Sequence, residues 1–157
     1  MGKKSNEVSL PLSSMQRICS LREYCEHDIR LKLKRFELSD AETDSVILKL
    51  KAENFLNEER FATAFVKDKS RLGGWGARKI VYALKNRKVS EEAINRALSK
   101  IDADSERKTL EKILTAKAKE LKRDEEREKR RAKLIRFALS RGFSYDKILE
   151  VVNKIIG

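Results

Sequence analysis

Between Ala77 and Arg141 the chain runs for 65 residues without a glycine or a proline, and its single proline is Pro11. The two residue types that cost a helix interior most are therefore missing from that span. With 39% of its residues charged and 6% aromatic, the chain suits amphipathic helices with wide solvated faces better than a thick core. At 157 residues it is one domain by size. These features predict an all-α protein.

Its apolar residues also recur over a longer period. Ile80, Leu84, Val89, Ser90, Ile94, Leu98 and Ile101 form a pattern that reappears 54 positions later as Leu134, Ala138, Phe143, Ser144, Ile148, Val152 and Ile155. Fifty-one positions earlier it reads Ile29, Leu33, Leu38, Ser39, Ile47 and Leu50, with Thr43 in place of an isoleucine. Apolar residues four apart close one helix, an apolar residue turns inward, and a serine caps the next helix. Ser39 with Glu42 forms a capping box, and Glu91 and Glu92 suit the positive end of a helix that starts after Ser90.

A further helical stretch precedes each hairpin: Ser14 to Tyr24, Glu58 to Leu72 behind an Asn57 cap, and Ser105 to about Leu121. The fold expected is three tandem three-helix repeats in an elongated body, each packed mainly on its neighbours. The predicted boundaries are an extended or disordered tail over 1–13 and repeats over 14–54, 55–102 and 103–157. The all-charged segment "KRDEEREKRRA", near 122–133, is read as a helical extension in preference to a flexible joint.

"RLGGWGARKI", from Arg71 to Ile80, gathers three of the six glycines and the only tryptophan. A glycine loop beside basic residues can cradle phosphate, but no GK[ST] follows and no β-branched strand precedes it. Gly73 and Gly74 are instead expected to end one helix in a left-handed cap and Gly76 to open the next, with Trp75 packed in the junction.

The formal net charge of +12 favours polyanionic partners through counterion release. It is unevenly distributed. Lys67 to Lys88 carries eight basic residues against Asp68 alone, Lys122 to Arg141 carries nine against four acidic, and Asp40 to Arg60 carries six acidic against three basic. Basic residues at loop ends reach phosphates without burying charge.

Parts for catalysis are few. His27 is the only histidine, neither Cys19 nor Cys25 lies in a glycine-rich nucleophile context, and these three do not make a zinc spacing. No enzymatic activity, metal or cofactor is expected. On one continuous helix Cys19 and Cys25 would stand ~9 Å apart along the axis, too far for a disulfide, which fits a reducing compartment. The polar start "MGKKSNEVSL" lacks a signal peptide's apolar region, and no apolar run reaches membrane-spanning length. The expectation is a soluble, cytoplasmic protein.

From about Met15 onward the chain resembles the RecX family of regulators of the RecA recombinase. "REYCEHDIRLKL" is similar to the family's R-x-Y-S-x-x-E-L, "NEERFATAFVKDKS" to its D-x-x-F-A helix, "GWGARKIVYAL" to G-x-G-x-x-x-I-x-x-x-L, and "LSRGFSYDKI" to R-R-G-F-S-x-x-x-I. Cys25 stands where the family has a capping serine, Asn57 opens the D-x-x-F-A helix, and Arg87 and Lys88 replace a lysine–glycine pair. The resemblance implies three tandem three-helix units in a curved body that lies in the groove of the RecA filament on single-stranded DNA. There such a protein inhibits ATP hydrolysis, filament growth and strand exchange, with no activity of its own.

Two contact surfaces are expected. Arg71, Arg78, Lys79, Lys85, Arg87 and Lys88 form one; Arg130, Arg131, Lys133 and Arg136 form the other. The partners expected are the RecA filament and, weakly or indirectly, single-stranded DNA, with no membrane. A tandem array needs no partner copy to bury its core, so a monomer is expected. The rival readings are a sequence-independent nucleic-acid-binding protein with no RecA-specific role, and a purely structural adaptor.

Overall fold

The computed structural model describes residues 2–156, with side chains from Val8 onward. Among the described residues the chain is helical throughout: α1 (Gly2–Leu21), α2 (Glu26–Leu33) running into a 3₁₀ turn (Lys34–Phe36), α3 (Asp40–Ala52), α4 (Glu58–Arg71), α5 (Ala77–Asn86), α6 (Glu91–Leu98), α7 (Ala103–Glu120), α8 (Arg127–Ser140) and α9 (Tyr145–Ile156).

Helix starts follow the polar residues that precede them. The Ser39 hydroxyl accepts the Glu42 N–H at 3.1 Å while the Glu42 carboxylate accepts the Ser39 N–H at 3.0 Å, completing the capping box. Asn57 accepts from the Arg60 N–H at 2.9 Å, Ser90 from Ala93 at 3.2 Å and Asp102 from Ser105 at 2.6 Å. Ser90 gains a second arm from outside its own helix, because its N–H donates to Glu58 at the start of α4 at 2.7 Å. Ser39→Ala removes one half of a reciprocal pair. It is expected to lower stability by about 1 kcal/mol, read as a shift of the urea midpoint at constant slope.

Each group of three helices encloses its own apolar cluster. Met15, Cys19, Ile29, Leu33, Val46, Ile47, Leu50 and Leu56 make the first. Phe61, Ala62, Val66, Ile80, Leu84, Val89, Ala93, Ile94 and Ala97 make the second, joined by Cys25 from the first unit. Leu110, Leu114, Leu134, Ala138, Phe143, Ile148, Val151 and Val152 make the third. Helices pack chiefly within their unit, and α4 on α7 is the main helix pairing across units. The accessible surface is 10539 Å². A compact monomer of this mass would expose about 8,100 Å². Three small cores in tandem, with an excess of surface, describe an elongated array.

The backbone repeats with the sequence. Glu37 (φ 53°), Lys88 (φ 58°) and Gly142 (φ 93°) are left-handed at equivalent positions, each just before the inward-turning Leu38, Val89 or Phe143. Their N–H groups donate to Lys34, Lys85 and Leu139 carbonyls, also equivalent, at 3.2, 2.9 and 3.0 Å. The turn demands this conformation, and only the third unit meets it with the residue that adopts it freely. Lys88→Gly relieves about 1–2 kcal/mol of left-handed strain against about 0.5–1 kcal/mol of extra unfolded-state entropy. A modest rise in the urea midpoint is expected, with Glu37→Gly as a companion of the same sign.

The predicted boundaries need correction. Residues 2–13 do not form an extended tail, since α1 is helical from Gly2 and carries Pro11 inside it, and Met1 lies outside the described residues. Val8 and Leu12 continue the stripe of Met15, Ile18 and Cys19 onto the first core, and Pro11 is itself buried. That burial outweighs the hydrogen bond the proline cannot make. The charged segment near 122–133 is not one helical extension either. Residues 121–126 form the turn between α7 and α8, and only 127–133 are helical. At the first boundary, Phe55 and Leu56 pack on the first core.

A candidate polyanion interface along the second helices

Equivalent parts of the units meet at both junctions, and backbone hydrogen bonds join them at the second. Gly76, the residue before α5, donates its N–H to the Arg141 carbonyl at 2.6 Å, and Arg78 donates to the Gly142 carbonyl at 3.1 Å. Gly76 has no side chain to cap the helix, and two donors at the start of α5, the Gly76 and Arg78 N–H groups, are met by the α8–α9 turn of the next unit. A Cβ on Gly76 would lie 2.5 Å from the Gly142 backbone, and one on Gly142 would lie 2.5 Å from the Lys79 nitrogen. Gly74 (φ 65°) makes the left-handed turn expected of it, but Gly76 serves contact between two backbones.

The junction of units one and two places the equivalent parts together. Cys25, which precedes α2 as Gly76 precedes α5, is buried in the second core beside Val89, in the α5–α6 turn. Arg87 from that turn pairs with Asp28 of α2 at 3.4 Å, and Arg60 of α4 pairs with Glu23 at 2.9 Å. The C-terminal turn of α8 thus meets the start of α5, and that of α5 meets the start of α2. At each junction the turn that ends a second helix therefore lies against the start of the second helix of the unit before, and α2, α5 and α8 are taken together below as a row. At α8, Arg130 occupies the position of Cys25 and Gly76, and the helix begins before it, at Arg127.

The candidate side chains differ in what already engages them. Lys79 lies 4.5 Å from the centre of the Trp75 ring, with Lys69 also over that ring at 4.8 Å, and Trp75 packs edge-on to Phe65. Arg87, besides its bond to Asp28, lies over Phe65 at 5.1 Å. Arg131 donates to Asn153 at 3.3 Å. Lys133 pairs with Glu125 at 2.5 Å, and this bond holds the Glu125 carboxyl below its ordinary range. Arg130 is half-buried and its Nε is enclosed without a hydrogen bond. Among the described residues, no ion pair or side-chain hydrogen bond engages Arg71, Arg78, Lys85, Lys88 or Arg136, and all five are exposed. These five cations are available to a partner.

One exposed side chain on the row was not among the candidates. Tyr82, 70% exposed, lies four residues after Arg78 and three before Lys85, on the face of α5 opposite Ile80 and Leu84. The spacing was visible in the sequence, but a search keyed to charge passes over it. The equivalent positions, Leu31 and Arg136, are exposed as well.

A groove of about 560 Å³ lies beside the junction of units one and two. Its charges are mixed, with Glu26, Glu58 and Glu59 lining it beside Arg30, Lys51, Arg87 and Lys88. The Cys19 and Cys25 thiols sit in different cores and are free; burial pushes each pKa up to about 11, so neither is a thiolate at neutral pH. Among the described residues no helix is long and apolar enough to cross a membrane.

A tandem array of three-helix units belongs to the class of helical-repeat proteins. Its relatives narrow this further. The descriptions "RecX, second three-helix domain" and "RecX, third three-helix domain" match residues 57–98 and 104–152. The chain is 36% identical over 157 residues to the Regulatory protein RecX of Thermotoga sp. (strain RQ2), covering 99% of this chain and 91% of that one. It is 36% identical over 131 residues to that of Clostridium perfringens (strain SM101 / Type A), covering 83% of this chain and 61% of the relative. The crystal structure of RecX from Lactobacillus salivarius superposes with a TM-score of 0.81 at 17% identity, over 96% of this chain and 97% of that one. The chain belongs to the RecX family.

Proposed function

We propose that this protein is a negative regulator of the RecA recombinase that lays its row of second helices in the groove of the RecA–single-stranded DNA filament. Bound there, it inhibits ATP hydrolysis, filament growth and strand exchange, and needs no catalytic group of its own. Family membership supports a regulatory role. The observation that supports the mode of binding is that Arg78, Lys85, Lys88 and Arg136 are exposed on an elongated body with no carboxylate paired to them. A groove that carries phosphates attracts such a body at long range and holds it by counterion release.

The test is RecA's DNA-dependent ATPase on preformed single-strand filaments, titrated with the protein, beside binding to the same DNA without RecA. Inhibition far below the concentration that coats bare DNA is expected. Inhibition only where bare DNA is saturated would reduce the protein to a competitor for the strand, and the function to sequence-independent nucleic-acid binding.

A further inference from the structure

We propose that Tyr82 is a base-stacking platform for single-stranded nucleic acid, with Arg78 and Lys85 holding the phosphates on either side of the stacked base. This rests on reading the row as the side that faces nucleic acid, and it adds to that reading a contact with the base.

Helix α5 is strongly two-faced, and its buried face, Ile80 and Leu84, already anchors it in the second core. Tyr82 is not needed for that packing. Its ring is 70% exposed, and among the described residues it has no ring, cation or hydrogen-bond partner. The other large aromatic side chains nearby are used internally, with Phe61, Phe65 and Trp75 packed on one another. The helix carries no acidic residue, so no carboxylate of its own accompanies Arg78, Tyr82 and Lys85 on the exposed face.

Arg78 and Lys85 are seven residues apart, about 10 Å along the axis, with the ring between them. Two cations at that separation can hold phosphates that flank a base, and every base has a π-face to lay on a tyrosine. A duplex hides those faces in its own stack, which selects for an unpaired strand. An acidic protein surface would satisfy the cations but would leave the ring with no partner of its own kind.

The experiment uses the full chain and two labelled strands of equal length, a poly-thymidine oligonucleotide and the matching abasic sugar-phosphate strand, measured by fluorescence anisotropy at low salt. Wild type is expected to bind the thymidine strand more tightly. Tyr82→Ala should weaken that binding about tenfold, leave the abasic strand unaffected, and keep the salt slope. Tyr82→Phe should bind as wild type, since stacking needs the ring and not the hydroxyl. Tyr145→Ala, which removes an exposed tyrosine outside the row, should change neither strand. Equal affinity of wild type for the two strands, an equal loss on both with Tyr82→Ala, or failure of phenylalanine to substitute would each overturn the proposal. Filament inhibition is scored separately. Tyr82→Ala without base discrimination but with full ATPase inhibition would uphold stacking and confine it to bare strands, whereas wild type that stacks but does not inhibit would remove the regulatory reading alone.

Discussion

Gly76→Ala is expected to unlatch the third unit from the second while leaving both folded. The backbone of Gly76 (φ −86°) is one that any residue adopts, so the substitution tests the close approach alone. Its Cβ would stand 2.5 Å from the carbonyl carbon and oxygen of Gly142, both of them backbone atoms that cannot swing aside. Relief requires the units to part, which breaks the bonds from Gly76 to Arg141 and from Arg78 to Gly142. Two such bonds contribute about 2 kcal/mol, a term that belongs to the interface and not to either unit. Thermal unfolding should broaden or divide in two, and proteolysis between α6 and α7 should accelerate. Gly142→Ala should be worse by a further 1–3 kcal/mol or so, because that residue is left-handed as well as crowded. A single transition at the wild-type midpoint for both variants would show that the junction yields without loss.

The second large effect concerns charge. Replacing Arg78, Lys85, Lys88 and Arg136 together by glutamate is expected to weaken filament binding on the order of 100-fold at low salt. The slope of log affinity against log salt should shrink by about 3, near 0.7 for each phosphate of a single strand that the protein no longer neutralises. Circular dichroism should be unchanged, since none of the four is engaged in a side-chain bond. The contrasting pair Arg131→Glu and Lys133→Glu should cost binding less, because Asn153 and Glu125 already occupy those side chains. Arg87→Glu should act on stability, through repulsion from Asp28. A larger binding loss from Arg131 and Lys133 than from the four would move the interface from the row to the outer face of α8.

What the sequence made legible follows from how local each feature is. The capping serines, the apolar residues at helical spacing and the shifts of 51 and 54 positions lie within a few residues of one another, and the helices at Asn57, Ser39 and Ser90 begin where that pattern places them. The start of α1 was missed because a proline and a polar first stretch argue against a helix unless the burial of Val8 and Leu12 is known. The turn at 121–126 was missed because its residues favour helix individually, and nothing local marks the stop. Gly76 and Gly142 are 66 residues apart, and no neighbour of either reveals the other. The same distance rule governs the cations. Charge density located all of them, but which were neutralised depended on carboxylates elsewhere in the chain, as with Asp28, 59 residues from Arg87. Sequence therefore found the basic helices, and tertiary structure divided their side chains into those holding the protein together and those facing out.

Arg130 has a consequence beyond its charge. A docking arrangement in which each unit offers a turn to the unit before it is head-to-tail, and head-to-tail contacts continue without limit unless something stops them. A second molecule approaching end-on would present its own α2–α3 turn to the start of α8. There, in place of a thiol or a bare glycine backbone, it meets a guanidinium group within an already formed helical turn. Arg130 thus denies the start of α8 the close backbone approach that Gly76 allows at the start of α5.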